Sequence, residues 1–289
     1  MKALDASTPV KLENILLATD FSPSSDTALL YSLSIARRFG SHVYLVHVVS
    51  AGSSQQAVND AWREAHTEVT NQLIAGTLHG IPHNVLVEQG DVWEVLSGLI
   101  ERRHIDLLVV GTRGRTGVWK LLMGSTAERL FRQASCPVLT VGPGTQAPSV
   151  ETGTRKILFS TGFAQHSLNA GGYALALARQ QQARVGMMTV VTDLSNDSPE
   201  RRQQLVAEHR QRLSDLVPPD AGLAAAPEVF VEFGTAAEAI LNVATQWKPD
   251  LIVLGIRQPA AFARRVKWAT AYEVVCKAPC PVLTVRTVS

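Results

Sequence analysis

The chain has 289 residues, 46% apolar and 18% charged, with a formal net charge of +2, enough for two domains of about 100–150 residues each. A charge so near balance, with no basic run interleaved with aromatic residues, excludes nucleic acid from the expected partners. No stretch approaches the roughly 20 apolar residues of a membrane helix, and Met1-Lys2-Ala3-Leu4-Asp5-Ala6-Ser7 lacks a signal-peptide core, so no membrane partner and a cytoplasmic location are expected.

In the first half, apolar runs of buried-strand type fall at 13–18, 42–48, 84–88, 106–110 and 137–141, separated by helical patterns near 23–39, 54–79, 91–103 and 125–134. Gly40, after Ala36-Arg37-Arg38-Phe39, is placed to end the first helix in a left-handed conformation. Strand and helix alternate, and the strands are apolar on both faces. That combination predicts an α/β fold with a parallel sheet covered by helices and right-handed crossovers. The ligand crevice of such a sheet lies at the carboxyl ends of its strands, where Asp20, Val48 and Gly111 fall.

The second half repeats the first. Cys136-Pro137-Val138-Leu139-Thr140-Val141 recurs at Cys280-Pro281-Val282-Leu283-Thr284-Val285, and Asp106-Leu107-Leu108-Val109-Val110-Gly111 recurs at Asp250-Leu251-Ile252-Val253-Leu254-Gly255, both 144 positions on. Ile15-Leu16-Leu17-Ala18-Thr19 matches Ile157-Leu158-Phe159-Ser160-Thr161 at an offset of 142. The period exceeds that of any solenoid unit, so two complete domains in tandem are expected, at 1–145 and 146–289, joined by the turn-rich stretch 142–154.

Between the fourth strand and the fourth helix stands Gly111-Thr112-Arg113-Gly114, then nine residues, then Gly124-Ser125-Thr126. Glycines there permit φ > 0 and let backbone N–H groups approach a ligand. Ser125 and Thr126 open a helix, whose unpaired N–H groups and dipole favour an anion such as phosphate. The spacing is neither that of the P-loop nor that of the Rossmann fingerprint. Taken alone, two glycines after a strand read equally well as a tight turn.

Together with Ala18-Thr19-Asp20-Phe21-Ser22 after the first strand and Cys136–Val141 as the last, this motif resembles the universal stress protein family, whose ATP-binding members carry G-x2-G-x9-G-[S/T]. The resemblance implies two tandem Rossmann-like domains of the adenine nucleotide alpha hydrolase type, each a five-stranded parallel sheet with helices on both faces. It implies ATP as ligand, with or without Mg2+. Asp20, in the loop with Ala18 and Thr19, would hold the adenosine, the Val48 backbone would read the adenine edge, and Val110 and Gly111 would border the ribose. Gly114, Gly124, Ser125 and Thr126 would surround the phosphates, with Arg115 and Arg113 adding charge. Asp20 has a second reading as a cap for the following helix, and Val48 one as plain core.

The function implied is that of an ATP-binding regulatory protein of the stress response. One alternative is a nucleotidyl transferase or slow ATPase of the related adenine-nucleotide group. Thr19-Asp20-Phe21-Ser22-Pro23, however, stands where those enzymes carry HIGH-type or SGGxDS-type loops. The other alternative is a dimerisation module with a vestigial site. In the family the final strands pair antiparallel between subunits, so 137–141 and 281–285 are expected to pair within this chain, and a homodimer is left open. An exposed final strand would otherwise invite aggregation.

The second copy departs from the motif. Gly162, Gln258, Trp268 and Ala269 replace Asp20, Gly114, Gly124 and Ser125, so the 146–289 domain is expected to bind no ATP in the family's manner. Arg257, Arg264, Arg265 and Lys267 make its loop basic, which suits a solvated surface or another anion. The histidines share no metal spacing and Cys136, Cys276 and Cys280 form no framework, so no metal site and reduced thiols are expected. His47 reads as structural, since no nucleophile accompanies it.

Overall fold

The computed structural model describes residues 3–5, 7–74, 76–112, 125–148, 154–192, 198–256 and 269–286; for 73, 74, 125, 126 and 269 it describes the backbone alone. The chain divides into two units, Lys11–Gly153 and a second made of Met1–Val10 with Thr154–Ser289.

In the first unit β1 (Asn14–Ala18), α1 (Pro23–Phe39), β2 (His42–Val49), α2 (Gln55–Ile74), β3 (His83–Gln89), α3 (Val92–Arg102), β4 (Leu107–Gly111), α4 (Ser125–Gln133) and β5 (Val138–Val141) follow one another. The strand order is β3-β2-β1-β4-β5, all parallel. Ile15, Leu16, Leu17 and Leu107 to Val110 are buried throughout, because helices cover both faces of the central strands. Leu16, Val46, Leu96, Leu99, Leu108, Leu130 and Val138 share one apolar cluster that ties α3 and α4 to the sheet.

Local signals set the helix ends. Ser22 caps α1 by accepting from the Ser25 N–H, Pro23 fills the first turn, and Gly40 (φ 69°) ends the helix with its N–H on the Ala36 carbonyl. Helix α2 stops at Ile74, short of the expected 79. Gly76 turns left-handed (φ 72°) and the Thr77 N–H returns to the Gln72 carbonyl, which closes the helix in a Schellman-type cap.

The second unit repeats the plan with β6 (Lys156–Ser160), α5 (Gln165–Gln181), β7 (Arg184–Val191), α6 (Pro199–Ser214), β8 (Glu228–Phe233), α7 (Ala236–Trp247), β9 (Leu251–Ile256), α8 (Ala269–Lys277) and β10 (Val282–Arg286). Its order is β10-β9-β6-β7-β8, again parallel. The repeated aspartates have a shared task. Asp106 Oδ2 accepts from the N–H groups of Glu13 and Asn14 at 2.8 and 2.9 Å, and Asp250 Oδ2 accepts from those of Arg155 and Lys156 at 2.8 Å each. Each carboxylate pins the entry of its unit's central strand.

A division at 145/146 gives the first ten residues to the first domain, whereas in the structure they belong to the second unit. Leu4 and Val10 are buried there, and the Leu4 N–H donates to the Leu216 carbonyl at 2.8 Å. Among the described residues no helix is long and apolar enough to cross a membrane.

Candidate functional site

The strand order of the first unit reverses direction between β1 and β4, so the switch point lies where Ala18 and Val110 stand opposite each other in register. The chain leaves β1 through a tight turn. The Thr19 N–H still donates to the Val46 carbonyl at 2.9 Å, and the Thr19 hydroxyl then accepts from the Phe21 N–H at 3.0 Å. Phe21 is held left-handed (φ 57°), a costly conformation for an aromatic residue. The second unit has the same turn, with the Phe163 N–H on the Thr161 hydroxyl at 2.9 Å and Phe163 at φ 61°. The strain thus belongs to the turn and is present with or without a neighbouring carboxylate.

Asp20 Oδ1 accepts from the Ser25 hydroxyl at 2.7 Å and from the Ser22 N–H at 3.1 Å. Ser22, not Asp20, is the cap of α1; Asp20 braces that cap from outside the helix, and its two bonds hold the carboxylate at the end of β1. Asp20 and Glu68, together with burial, raise the pKa of Asp26 in the first turn of α1, burial contributing most.

Strand β2 outruns β1. Ala18 pairs with Val46, while His47, Val48 and Val49 continue beside β3 alone. Strand alternation turns the N–H and C=O of Val48 the same way as those of Val46, toward the side that β1 has left. His47 Nδ1 lies 2.8 Å from the Thr19 carbonyl, which requires the proton on Nδ1, and its ring stacks on Phe21 at 4.7 Å between centroids. His47 is thus engaged in holding the turn.

Gly111 ends β4, but its reason for being glycine differs from the expected positive φ. It lies outside the left-handed region, and a Cβ there would meet the Ser24 carbonyl carbon at 2.9 Å and its oxygen at 3.0 Å. Gly255 in the second unit would likewise meet the backbone of His166 and Ser167. Both glycines admit the first turn of a helix against the strand end. Sequence reasoning missed this role, although the recurrence of Gly111 at Gly255 in a copy lacking Asp20 was a signal for it.

Ser125 and Thr126 are the first residues of α4, which the β4-α4-β5 crossover starts at the carboxyl end of the sheet. Gly114, Arg115 and Gly124, with Arg113, lie outside the described residues, as do Arg257, Gln258, Arg264, Arg265, Lys267 and Trp268. The structure brings Ala18, Thr19, Asp20, Val48, Val110 and Gly111 to neighbouring strand ends. Trp93 packs under Arg129, whose guanidinium sits 5.8 Å from the ring and also reaches Asp91 at 3.2 Å. Among the described residues no three of His, Cys, Asp and Glu gather as a metal site.

The equivalent place in the second unit is furnished differently. No carboxylate follows Thr161, whose hydroxyl pairs with that of Ser167 at 2.8 Å. Phe163 is covered by helix α6, with the Arg212 guanidinium 3.9 Å above its ring and His209 at 5.9 Å.

The family model of the universal stress protein family matches residues 11–142 and again 153–286. Universal stress protein MJ0531 of Methanocaldococcus jannaschii is 30% identical over 148 residues, a match that covers 45% of this chain and 81% of that protein. Universal stress protein A homolog 1 of Coxiella burnetii is 28% identical over 148 residues, covering 45% of this chain and 95% of that one. Among solved structures, a universal stress protein from Archaeoglobus fulgidus superposes over 96% of this chain and 97% of its own with a TM-score of 0.68; at 18% identity this bears on the fold alone. Two successive matches, each the size of one α/β unit, make this chain a tandem member of the universal stress protein family.

Proposed function

We propose that the Lys11–Gly153 unit binds one ATP, with or without Mg2+, and that the chain acts as a nucleotide-dependent regulatory protein of the stress response. One observation carries the reading: the fixed Asp20 carboxylate, the outward-facing Val48 backbone and the β4 end at Gly111 converge at the switch point of an open parallel sheet. The N-terminus of α4 at Ser125-Thr126 supports phosphate at the same end. Gly114, Arg115 and Gly124 complete the reading from sequence. The second unit, with Gly162 for Asp20 and Phe163 beneath Arg212, is assigned no ATP. We further propose that the final strands of the two domains pair with each other, because an open apolar edge at 137–141 would be an aggregation liability. Nucleotidyl transfer is disfavoured because His47 is committed to Thr19 and Phe21.

Calorimetric titration with ATP is expected to give one site per chain. Asp20→Ala should weaken binding about tenfold to a hundredfold, the weight of a charge-assisted hydrogen bond. Two equivalents per chain, or unaltered affinity in a folded Asp20→Ala protein, would sink the proposal.

A further inference from the structure

The first ten residues precede the segment matched by the family model, which begins at 11. They nevertheless occupy a specific place. Helix α5 carries adjacent glycines at Gly171 and Gly172, in a helix interior where glycine is normally unfavourable. A Cβ on Gly171 would meet Leu4 Cδ1 at 2.7 Å and the Phe159 ring at 2.8 Å, and one on Gly172 would collide with the Asp5 carbonyl oxygen. The pair opens a shallow groove in the helix surface, and the leading segment lies in it.

Recognition is mostly through the backbone. The Leu4 N–H donates to the Leu216 carbonyl at 2.8 Å. Gln180 grips Val10 from both sides: its Oε1 accepts from the Val10 N–H and its Nε2 donates to the Val10 carbonyl, each at 3.0 Å. The Arg179 guanidinium donates to the Ser7 carbonyl at 3.2 Å. Ser7 in turn donates its N–H and hydroxyl to Asp5 Oδ1 at 3.0 and 2.6 Å, a local bond within the segment. Among the described residues of the segment Leu4 and Val10 are buried, while Ala3, Asp5, Ser7, Thr8 and Pro9 are exposed.

We propose that this face of α5 is a peptide-docking site, filled in cis by the chain's own residues 3–5 and 7–10 acting as a strap on the second unit. The segment it fits carries apolar side chains six positions apart, as at Leu4 and Val10. Lys11 to Glu13 then lead directly into β1.

The test is the sign of a helical glycine substitution in the full chain. Gly98 in α3 faces only the flexible end of Arg102, so Gly98→Ala should raise the thermal midpoint, as alanine in a helix ordinarily does. Gly172→Ala should lower the midpoint and speed hydrogen exchange at the Leu4 and Val10 amides at least tenfold. In a chain beginning at Lys11 the strap is gone, so Gly172→Ala should there raise the midpoint, and a synthetic peptide of residues 1–12 should bind that chain and not the full-length protein. A Gly172→Ala full-length protein with a raised midpoint and unchanged Leu4 protection overturns the proposal, and the full-chain pair decides alone if the shortened chain does not fold. A concentration-dependent dimer abolished by truncation would overturn the cis assignment, since the strap would then come from a second copy.

Discussion

Cys280 is a thiol removed from chemistry. It is 7% exposed in the turn before β10, and burial, with the Asp250 carboxylate as a lesser cause, pushes its pKa up to about 12. At pH 8 the thiolate fraction is on the order of one in ten thousand, far below that of an ordinary thiol with a pKa near 8.5. Native protein at pH 8 should leave Cys280 unlabelled by iodoacetamide under conditions that label it in urea. The folded pKa lies above the unfolded one, so the associated stability is complete below the unfolded value and is lost as pH climbs toward 12. Between pH 9 and 11 the urea midpoint of wild type should therefore fall more steeply than that of Cys280→Ala. Equal slopes would show that the environment of Cys280 has been misjudged.

At the scale of elements, the two copies solve the same problems with different residues. After α1 the left-handed position is Gly40, and after α5 it is Gln182 at φ 53°. A side chain there costs about 1–2 kcal/mol, partly offset by the Gln182 amide donating to the Arg179 carbonyl at 2.9 Å and by the greater unfolded-state freedom of glycine. Gln182→Gly should accordingly stabilise by about 0.5 kcal/mol, read as a higher urea midpoint with unchanged slope; a lower midpoint would mean that the amide bond outweighs the strain. The strands were legible because both-face burial writes uninterrupted Val, Ile and Leu into Leu107–Val110 and Leu251–Leu254. The end of α2 was not, since Leu78 is buried and prolongs the apolar pattern past Gly76, where the backbone has already turned. Near the site, the strand ends were legible but the reason for glycine at 111 was not, because Ser24, which a Cβ would meet, lies across the fold and leaves no trace in local spacing.

For the whole molecule, the tandem reading follows from repeats at offsets of 142 and 144, and within each unit the five strands are parallel and stand in matching order. The proposed pairing of the final strands gives a direct expectation. With Leu139→Cys and Leu283→Cys introduced together, mild oxidation should yield a cross-link within one chain that dilution does not reduce. A product formed only between chains would assign the pairing to a dimer instead. The strap stayed hidden in the sequence because single apolar residues at Leu4 and Val10, interrupted by Pro9, carry no period, and Gly171-Gly172 inside a helix names no partner.

That strap also sets a schedule for synthesis. Val10 leaves the ribosome 170 residues ahead of Gln180, which grips it. At about 5–20 residues per second, the leading segment waits roughly 10–35 s, while β1 needs only Asp106 to be clamped at its entry. The first unit can thus close its sheet with its own N-terminus still loose. The segment ahead of β1 is among the last to find its place, and a nascent chain stalled before Gln180 would present that segment to proteases and chaperones.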